Sequence, residues 1–276
     1  YPEHDWMIMM MPRESILEWL SREIPEYVFS QIAAQVLFQC QNCGECCRGE
    51  GYALLDEGDI GAMARELKIS PGQAKTRFTH PGPQGDFACR ILKSVGKDRD
   101  CCFLDIERGE CRIYRSRPRV CRTFPMLSSD PQGGQVICFY PDCLGTANFV
   151  RMILEKRDEP SVKKDVERLE ADEELRDILK IKLFVWMQEL MGEVKGAEEI
   201  CRMACIDPPS RDGAFERECL AYFLLTISTE GIEEYRYEGS PVGRMRENRI
   251  KKGCRRAQAP PQVPQVQDKP KGPEYI

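Results

Sequence analysis

The sequence predicts a mostly α-helical protein that contains a small, irregular α+β domain rich in cysteine. Three observations lead to this fold class. Apolar residues recur at helical spacing on both sides of a central region. That region, residues 40–143, holds eleven of the fifteen cysteines. Its second half consists of short apolar segments between Gly, Pro and Cys, which bury little apolar surface by themselves.

Four regions follow along the chain. Residues 1–39 form a helical lead-in, in which RESILEWLSREI and EYVFSQIAAQVLF have helical periodicity. Pro25 separates these two segments, because proline breaks or kinks a helix. Residues 40–145 form the cysteine-cluster domain and residues 146–254 a helical region. Residues 255–276 are rich in Pro, Gln and charge, which predicts a disordered tail.

Two helices and one strand are predicted within the cysteine-cluster domain. Residues 54–70 begin with acidic residues and carry apolar residues on one face, which indicates a capped amphipathic helix. Ser70 and Pro71 are residue types preferred at the start of a helix, which here continues to Phe78. Residues 128–134, SSDPQGG, predict a turn before the strand-like segment QVICFY.

The region that follows the cysteines is strongly helical. The segment SVKKDVERLEADEELRDILKIKLFVWMQELMG carries an apolar stripe from Val162 to Leu190, which indicates a packing face rather than a cofactor-binding segment. Cys201 and Cys205 are four residues apart and would share a helix face. We interpret this pair as core packing rather than a redox pair.

Composition and charge exclude several functions. The chain has 276 residues, of which 42% are hydrophobic and 31% charged, so it is long enough for a sizeable core. Its formal net charge of -5 argues against a nucleic-acid partner, because phosphate neutralisation needs a basic surface. No apolar run approaches the roughly 18 residues that span a bilayer. We therefore expect neither a nucleic-acid partner nor a membrane span.

The fifteen cysteines point to metal or redox chemistry. The apolar segment WMIMMMP lacks the basic flank and the small-residue cleavage site of a secretory signal, so we expect a cytoplasmic protein. Structural disulfides are rare in that reducing compartment. With only two histidines, histidine-based metalloprotease and acid-base sites are poorly supported.

Four cysteines within eight positions, in CQNCGECC, are the strongest chemical signal. Thiolates separated by two residues can bind one metal, as in the C-x2-C half-sites of zinc and iron-sulfur proteins. Adjacent side chains tend to point apart, so either Cys46 or Cys47 serves a second site or stays a free thiol. Later cysteines complete the coordination, and eight thiolates suffice for one or two four-ligand sites.

Arginines are concentrated around two of the later cysteines. Residues 107–122 contain six arginines and two glutamates. Four thiolates around Zn2+ or a doubly positive [4Fe-4S] core leave a negative site, which neighbouring guanidinium groups would stabilise. A solvated basic loop and a site for an anion or an acidic partner are the alternatives.

These motifs resemble the YkgJ-type cysteine-cluster family, the CxxCxxCC proteins described as zinc- or iron-chelating domains. The resemblance covers about residues 38–145 through CQNCGECC, CFLDIERGECRIYRSRPRVCRTFP and DCLG. It implies a domain that is held together by a bound metal, with Arg117 and Arg122 close to metal-bound sulfur. It also favours Cys102 over the adjacent Cys101 as a metal ligand. The implied metal ligands are Cys40, Cys43, Cys46, Cys47, Cys102, Cys111, Cys121 and Cys143. The sequence leaves open whether Cys89 and Cys138 are metal ligands or small buried residues.

Two functional hypotheses follow. In the first, the chain binds an iron-sulfur cluster or zinc at one or two sites and acts with a protein partner in metal or cluster handling or in electron transfer. Surplus thiols favour iron-sulfur slightly. In the second, it resembles the flagellin lysine N-methylase branch of the family, which implies a protein lysine methyltransferase that uses S-adenosylmethionine. The sequence leaves open whether the protein is an enzyme.

Overall fold

A computed structural model describes residues 13–48, 53–82, 90–127, 143–210 and 213–227. All of them belong to one compact unit, Tyr1–Glu238. The predicted fold class is confirmed, because helices dominate and the strands form small antiparallel pairs. Within these ranges, no helix is long and apolar enough to cross a membrane. The predicted turn and strand after residue 127 and the predicted tail lie outside the described residues, and the four-region division stays a prediction.

Two helices precede the cysteine loop, as the sequence predicts. Helix α1 spans Arg13–Glu23 and helix α2 spans Glu26–Leu37. Pro25 is the N-cap of α2 with an extended backbone, because a proline without an N–H group cannot continue α1. Phe29 and Ile32 lie on the buried face of α2.

Helix α3 is shorter than the predicted segment 54–70. It spans Glu57–Glu66, and Leu54–Leu55 form strand β1 instead. The start of the helix is fixed by a capping box, in which Asp56 and Asp59 each accept a hydrogen bond from the other's backbone N–H.

Helix α4 spans Pro71–Phe78 and begins where the sequence predicts. Ser70 is its N-cap, and the Ser70 hydroxyl and the Gln73 amide oxygen satisfy each other's backbone N–H groups. Proline at the first helical position needs no N–H partner. The chain passes directly from α4 into strand β2, Thr79–Pro81.

Short antiparallel strands form three small sheets among the described residues. Strand β3 lies between β1 and β2, with Ile91 opposite both Leu54 and His80. Strand β4 pairs with β5, and β6 pairs with β7. Both hairpins end on a cysteine, Cys101 in β5 and Cys111 in β7. The remaining strands are β3 (Arg90–Leu92), β4 (Ser94–Val95), β5 (Asp100–Cys101), β6 (Leu104–Asp105) and β7 (Glu110–Cys111).

Six further α-helices follow in the described part of the chain. The predicted apolar stripe from Val162 to Leu190 is divided at Asp172, whose carboxylate accepts the Leu175 N–H and starts a new helix. The helices are α5 (Arg119–Thr123), α6 (Leu144–Lys156), α7 (Pro160–Ala171), α8 (Glu173–Met191), α9 (Val194–Ala204) and α10 (Gly213–Thr226).

Two hydrophobic clusters stabilise the described chain. The first joins α1 and α2 to helices α6 to α10, with Phe29, Phe149 and Phe223 fully enclosed. Cys201 is buried in it, in line with the core-packing interpretation, but Cys205 is exposed at the C-cap of α9. The second cluster lies in the cysteine domain and contains Leu55, Ile60, Met63, Leu92, Phe103 and Ile113.

Candidate metal centre

A glycine and a short turn fold the CxxCxxCC segment back on itself. Gly44 has a φ of +74°, and a 3-10 turn follows over Glu45–Cys47. A Cβ at Gly44 would lie 2.5 Å from the carbonyl oxygen of Gly109 in the β6–β7 turn. Glycine is therefore required twice, once for the left-handed backbone and once for the close approach of the two loops.

Asn42 connects this loop to strand β7. Its backbone N–H lies 3.4 Å from Cys40 Sγ, and its side-chain oxygen accepts the backbone N–H of Cys111 at 3.0 Å. Its φ of 49° is a conformation that asparagine adopts more readily than most residues. Sequence reasoning missed Asn42, for which an asparagine inside the first C-x2-C step was the available signal.

Eight cysteines line one cavity of about 40 Å3. They come from the loop, from strands β5 and β7, from helix α5 and from the N-cap of α6. All but one of the predicted ligands are among them, and Cys101 takes the place of Cys102. The lining cysteines are Cys40, Cys43, Cys46, Cys47, Cys101, Cys111, Cys121 and Cys143. Cys89 and Cys138 lie outside the described residues.

The adjacent Cys101 and Cys102 have different surroundings. Cys101 ends strand β5 opposite Ser94 and lines the cavity. The Cys102 sulfur lies 3.9 Å from the carbonyl oxygen of Phe78. Cys102 lies in the turn after β5, and its side chain also hydrogen-bonds to Cys101. The assignment of Cys102 as a ligand stays a prediction.

Hydrogen bonds between neighbouring cysteines change their pKa values in this cavity. A hydrogen bond from Cys143 lowers the pKa of Cys43 to about 5. Hydrogen bonds from Cys102 and then Cys47 lower the pKa of Cys101 to about 3. The donors' own pKa values are raised, chiefly by these same hydrogen bonds. These hydrogen bonds favour thiolate, the form that binds metal, on Cys43 and Cys101, and they favour the protonated form on the donors.

Burial keeps other thiols of the cavity protonated. Burial raises the pKa of Cys111 and of Cys121, and nearby thiolates add to the effect. A metal that bound these two sulfurs would have to displace their protons.

Arg117 and Tyr114 hold Cys40. Nη1 of Arg117 donates to Cys40 Sγ at 3.1 Å, and its Nε donates to the Tyr114 carbonyl at 3.0 Å. The guanidinium group lies 3.9 Å from the centroid of the Tyr114 ring, whose hydroxyl donates to the Cys40 carbonyl at 3.2 Å. A charged donor on sulfur stabilises the thiolate and restricts its position.

Other arginines of the cluster have different partners. The carbonyl of Arg122 accepts a hydrogen bond from the Gln35 side chain at 3.0 Å. Burial raises the pKa of Asp59, and the positive charge of the Arg122 guanidinium group partly opposes this rise. Arg119 forms an ion pair with Asp56 and donates to the Met191 carbonyl at 3.2 Å. Helix α5, which carries Cys121, is thereby connected to helices α2 and α8 and to the N-cap of α3.

Comparison with known proteins supports metal binding by this domain. Residues 39–143 match the CxxCxxCC family model, whose description is "Putative zinc- or iron-chelating domain", which confirms the resemblance over these residues. The "Uncharacterized protein MJ0661" of Methanocaldococcus jannaschii is 32% identical over 92 residues, or 33% of this chain and 45% of the relative. The chain thus spans less than half of that relative. No solved structure matches the chain significantly.

The donor set fits a thiophilic metal such as zinc or iron. Thiolate is a preferred ligand of both, and every side chain that lines the cavity with a strong metal donor is a cysteine. In the described part of the chain, no three His, Cys, Asp or Glu side chains are already arranged to hold a metal ion. The cysteines therefore provide donors around a shared cavity, and a bound metal would draw them together.

Proposed function

We propose that the cysteine domain holds a thiolate-ligated metal centre of the iron-sulfur type. The observation that carries the proposal is the convergence of eight thiols on one small cavity. A single tetrahedral zinc ion uses four ligands, so the surplus supports a cluster or a second ion. We include Cys101 rather than Cys102 among the ligands, because Cys101 lines the cavity.

The electrostatics around the cavity favour a negatively charged centre. Arg117 donates to Cys40, and Cys143 is the N-cap of the 13-residue helix α6. The partial positive charge of a helix N-terminus stabilises a thiolate, as does the guanidinium group. Both effects support retention of a thiolate-ligated metal.

We further propose a role in metal or cluster handling, or in electron transfer, with a protein partner in the cytoplasm. Cys46 is exposed, so one edge of the centre faces the surface and is accessible for transfer.

Anaerobic purification without a histidine tag tests the proposal. Iron, zinc and acid-labile sulfide are measured on one sample together with its visible spectrum, for the wild type, Cys43→Ser and Cys219→Ser. Cys219→Ser is the control, because Cys219 is buried in the helical cluster. We expect iron, sulfide and a broad visible absorption band in the wild type and the control, and loss of all three in Cys43→Ser.

The other outcomes separate the alternatives. Stoichiometric zinc in a colourless protein would replace the iron-sulfur proposal by a zinc centre with the same ligands. A wild-type protein without metal would overturn the proposed function. The methyltransferase hypothesis has its own test, which is saturable binding of S-adenosylmethionine measured by calorimetry.

A further inference from the structure

A second cavity, of about 210 Å3, adjoins the cysteine cavity. Six residues line both cavities and therefore form the wall between them: Leu92, Phe124 and four cysteines. The four cysteines of the wall are Cys46, Cys47, Cys101 and Cys121. We call this second space the outer cavity.

The arrangement makes the two sides of the proposed centre different. On one side, the cysteine cavity is lined by residues that do not reach the outer cavity. They include Arg117 and the four cysteines Cys40, Cys43, Cys111 and Cys143. On the other side, four cysteines together with Leu92 and Phe124 separate the proposed centre from the outer cavity. Structural metal sites are closed by protein ligands, whereas sites that bind an external ligand keep one side accessible.

The lining of the outer cavity indicates the chemistry of its ligand. Val120 and Phe124 give it apolar walls, and the charged side chains that line it, Lys93 and Arg99, are both basic. Lys93 Nζ donates to the Thr76 carbonyl at 2.7 Å, which holds its ammonium group against helix α4. A volume of 210 Å3 holds about seven waters, which suits a small molecule with an anionic group.

We propose that the outer cavity binds a small organic thiol that carries a carboxylate. Its thiolate replaces Cys46, the exposed cysteine of the wall, as a metal ligand, and its carboxylate faces Arg99 and Lys93. A soft sulfur donor suits either zinc or iron. The proton of the incoming thiol passes to the displaced Cys46 thiolate, so one metal–sulfur bond forms as another breaks, no carbon bond changes and nothing is oxidised. This inference rests on the proposed function.

Titration of the metal-loaded protein with mercaptoacetate tests the inference. Binding is followed anaerobically by calorimetry and by the absorption of the iron form, and metal content is measured before and after. Ethanethiol lacks the carboxylate and acetate lacks the thiol, so they are the matched probes. We expect saturable mercaptoacetate binding, weaker binding of ethanethiol and no saturable binding of acetate.

Substitutions in the outer cavity provide the second readout. Val120→Trp fills the cavity and is expected to weaken mercaptoacetate binding about tenfold or more. Val194→Trp is the control, because Val194 is an exposed valine of α9 that does not line the outer cavity. Arg99→Gln should weaken mercaptoacetate but leave ethanethiol unchanged, and it supplies the test if Val120→Trp does not fold.

The outcomes distinguish this inference from the proposed function. A protein with stoichiometric metal that shows no saturable mercaptoacetate binding overturns the inference and leaves the metal centre intact. Equal affinity in the wild type and a folded Val120→Trp also overturns it, as does equal binding of mercaptoacetate and ethanethiol. A protein that holds no metal overturns both proposals.

Discussion

Replacement of Gly44 by alanine is expected to disrupt the cysteine loop. Gly44 has a φ of +74°, and its Cβ would lie 2.5 Å from Gly109 O, 2.8 Å from Leu104 Cδ1 and 3.0 Å from the Gly109 carbonyl carbon. Two of these three atoms belong to the backbone, so a change of side-chain rotamer cannot relieve the contact. The loop or the β6–β7 turn has to move.

The size of the effect follows from two separate costs. A left-handed backbone costs an alanine roughly 1–2 kcal/mol relative to glycine. Overpacking against a fixed neighbour adds roughly 1–3 kcal/mol. The expected loss for Gly44→Ala is therefore about 2–5 kcal/mol, which is a large part of the roughly 5–15 kcal/mol that stabilises a typical domain.

Comparison with Gly96→Ala separates the steric part of this loss from the part due to the left-handed backbone. Gly96 has a φ of +75°, and a Cβ at this position would meet nothing within 4 Å, so it shares the backbone cost without the contact. Urea unfolding followed by circular dichroism, on metal-free protein, gives both free energies of unfolding. We expect Gly44→Ala to be less stable than Gly96→Ala by roughly 1–3 kcal/mol.

Metal content gives an independent readout of the same change. A shift of the loop moves Cys43 and Cys46, so Gly44→Ala should also retain less metal than Gly96→Ala. Equal losses of stability in the two variants, with equal metal content, would refute the packing of the loop against Gly109.

Three further predictions concern the site and its surroundings. Cys101→Ser should lose metal while Cys102→Ser keeps it, because Cys101 lines the cavity; elemental analysis measures this. Arg117→Gln should weaken metal binding about 10- to 100-fold in a chelator competition, because it removes the contact with the Cys40 sulfur. Burial raises the pKa of Asp59 above 3.8, so the folded chain holds this proton more tightly than the unfolded chain. Its contribution to the free energy of unfolding therefore falls as pH rises, and Asp59→Asn should remove that fall in urea unfolding from about pH 4 upward.

Each of these predictions has a control or a contrary result. Arg115→Gln changes an exposed arginine two residues from Arg117 and should bind metal like the wild type. Equal weakening in both arginine variants would point to the overall charge of the segment. Metal loss in Cys102→Ser alone would restore the ligand that the family resemblance implies. An unchanged pH dependence in Asp59→Asn would show that this carboxyl titrates normally.

Local signals in the sequence predicted several elements well. Pro25 marks the break between α1 and α2, and Ser70 with Pro71 marks the start of α4. Capping preferences and proline geometry act within a few residues, so they are visible in the sequence alone. The clustering of Cys40 to Cys47 was visible for the same reason.

Features that depend on distant residues could not be predicted in this way. Leu54 belongs to a strand rather than to α3 because it pairs with Ile91, far along the chain. Cys101 lines the cavity because of its place at the end of the β4–β5 hairpin. Asn42 acquires its role through Cys111, a contact across 69 residues. Such contacts become apparent only when the register of the strands is known.

X-ray absorption at the K-edge of the copurified metal most directly tests the central claim, that the cysteines of the cavity hold the metal. The arrangement predicts a first coordination shell of sulfur alone, at about 2.3 Å. A shell dominated by nitrogen or oxygen at roughly 2.0–2.1 Å would contradict the claim.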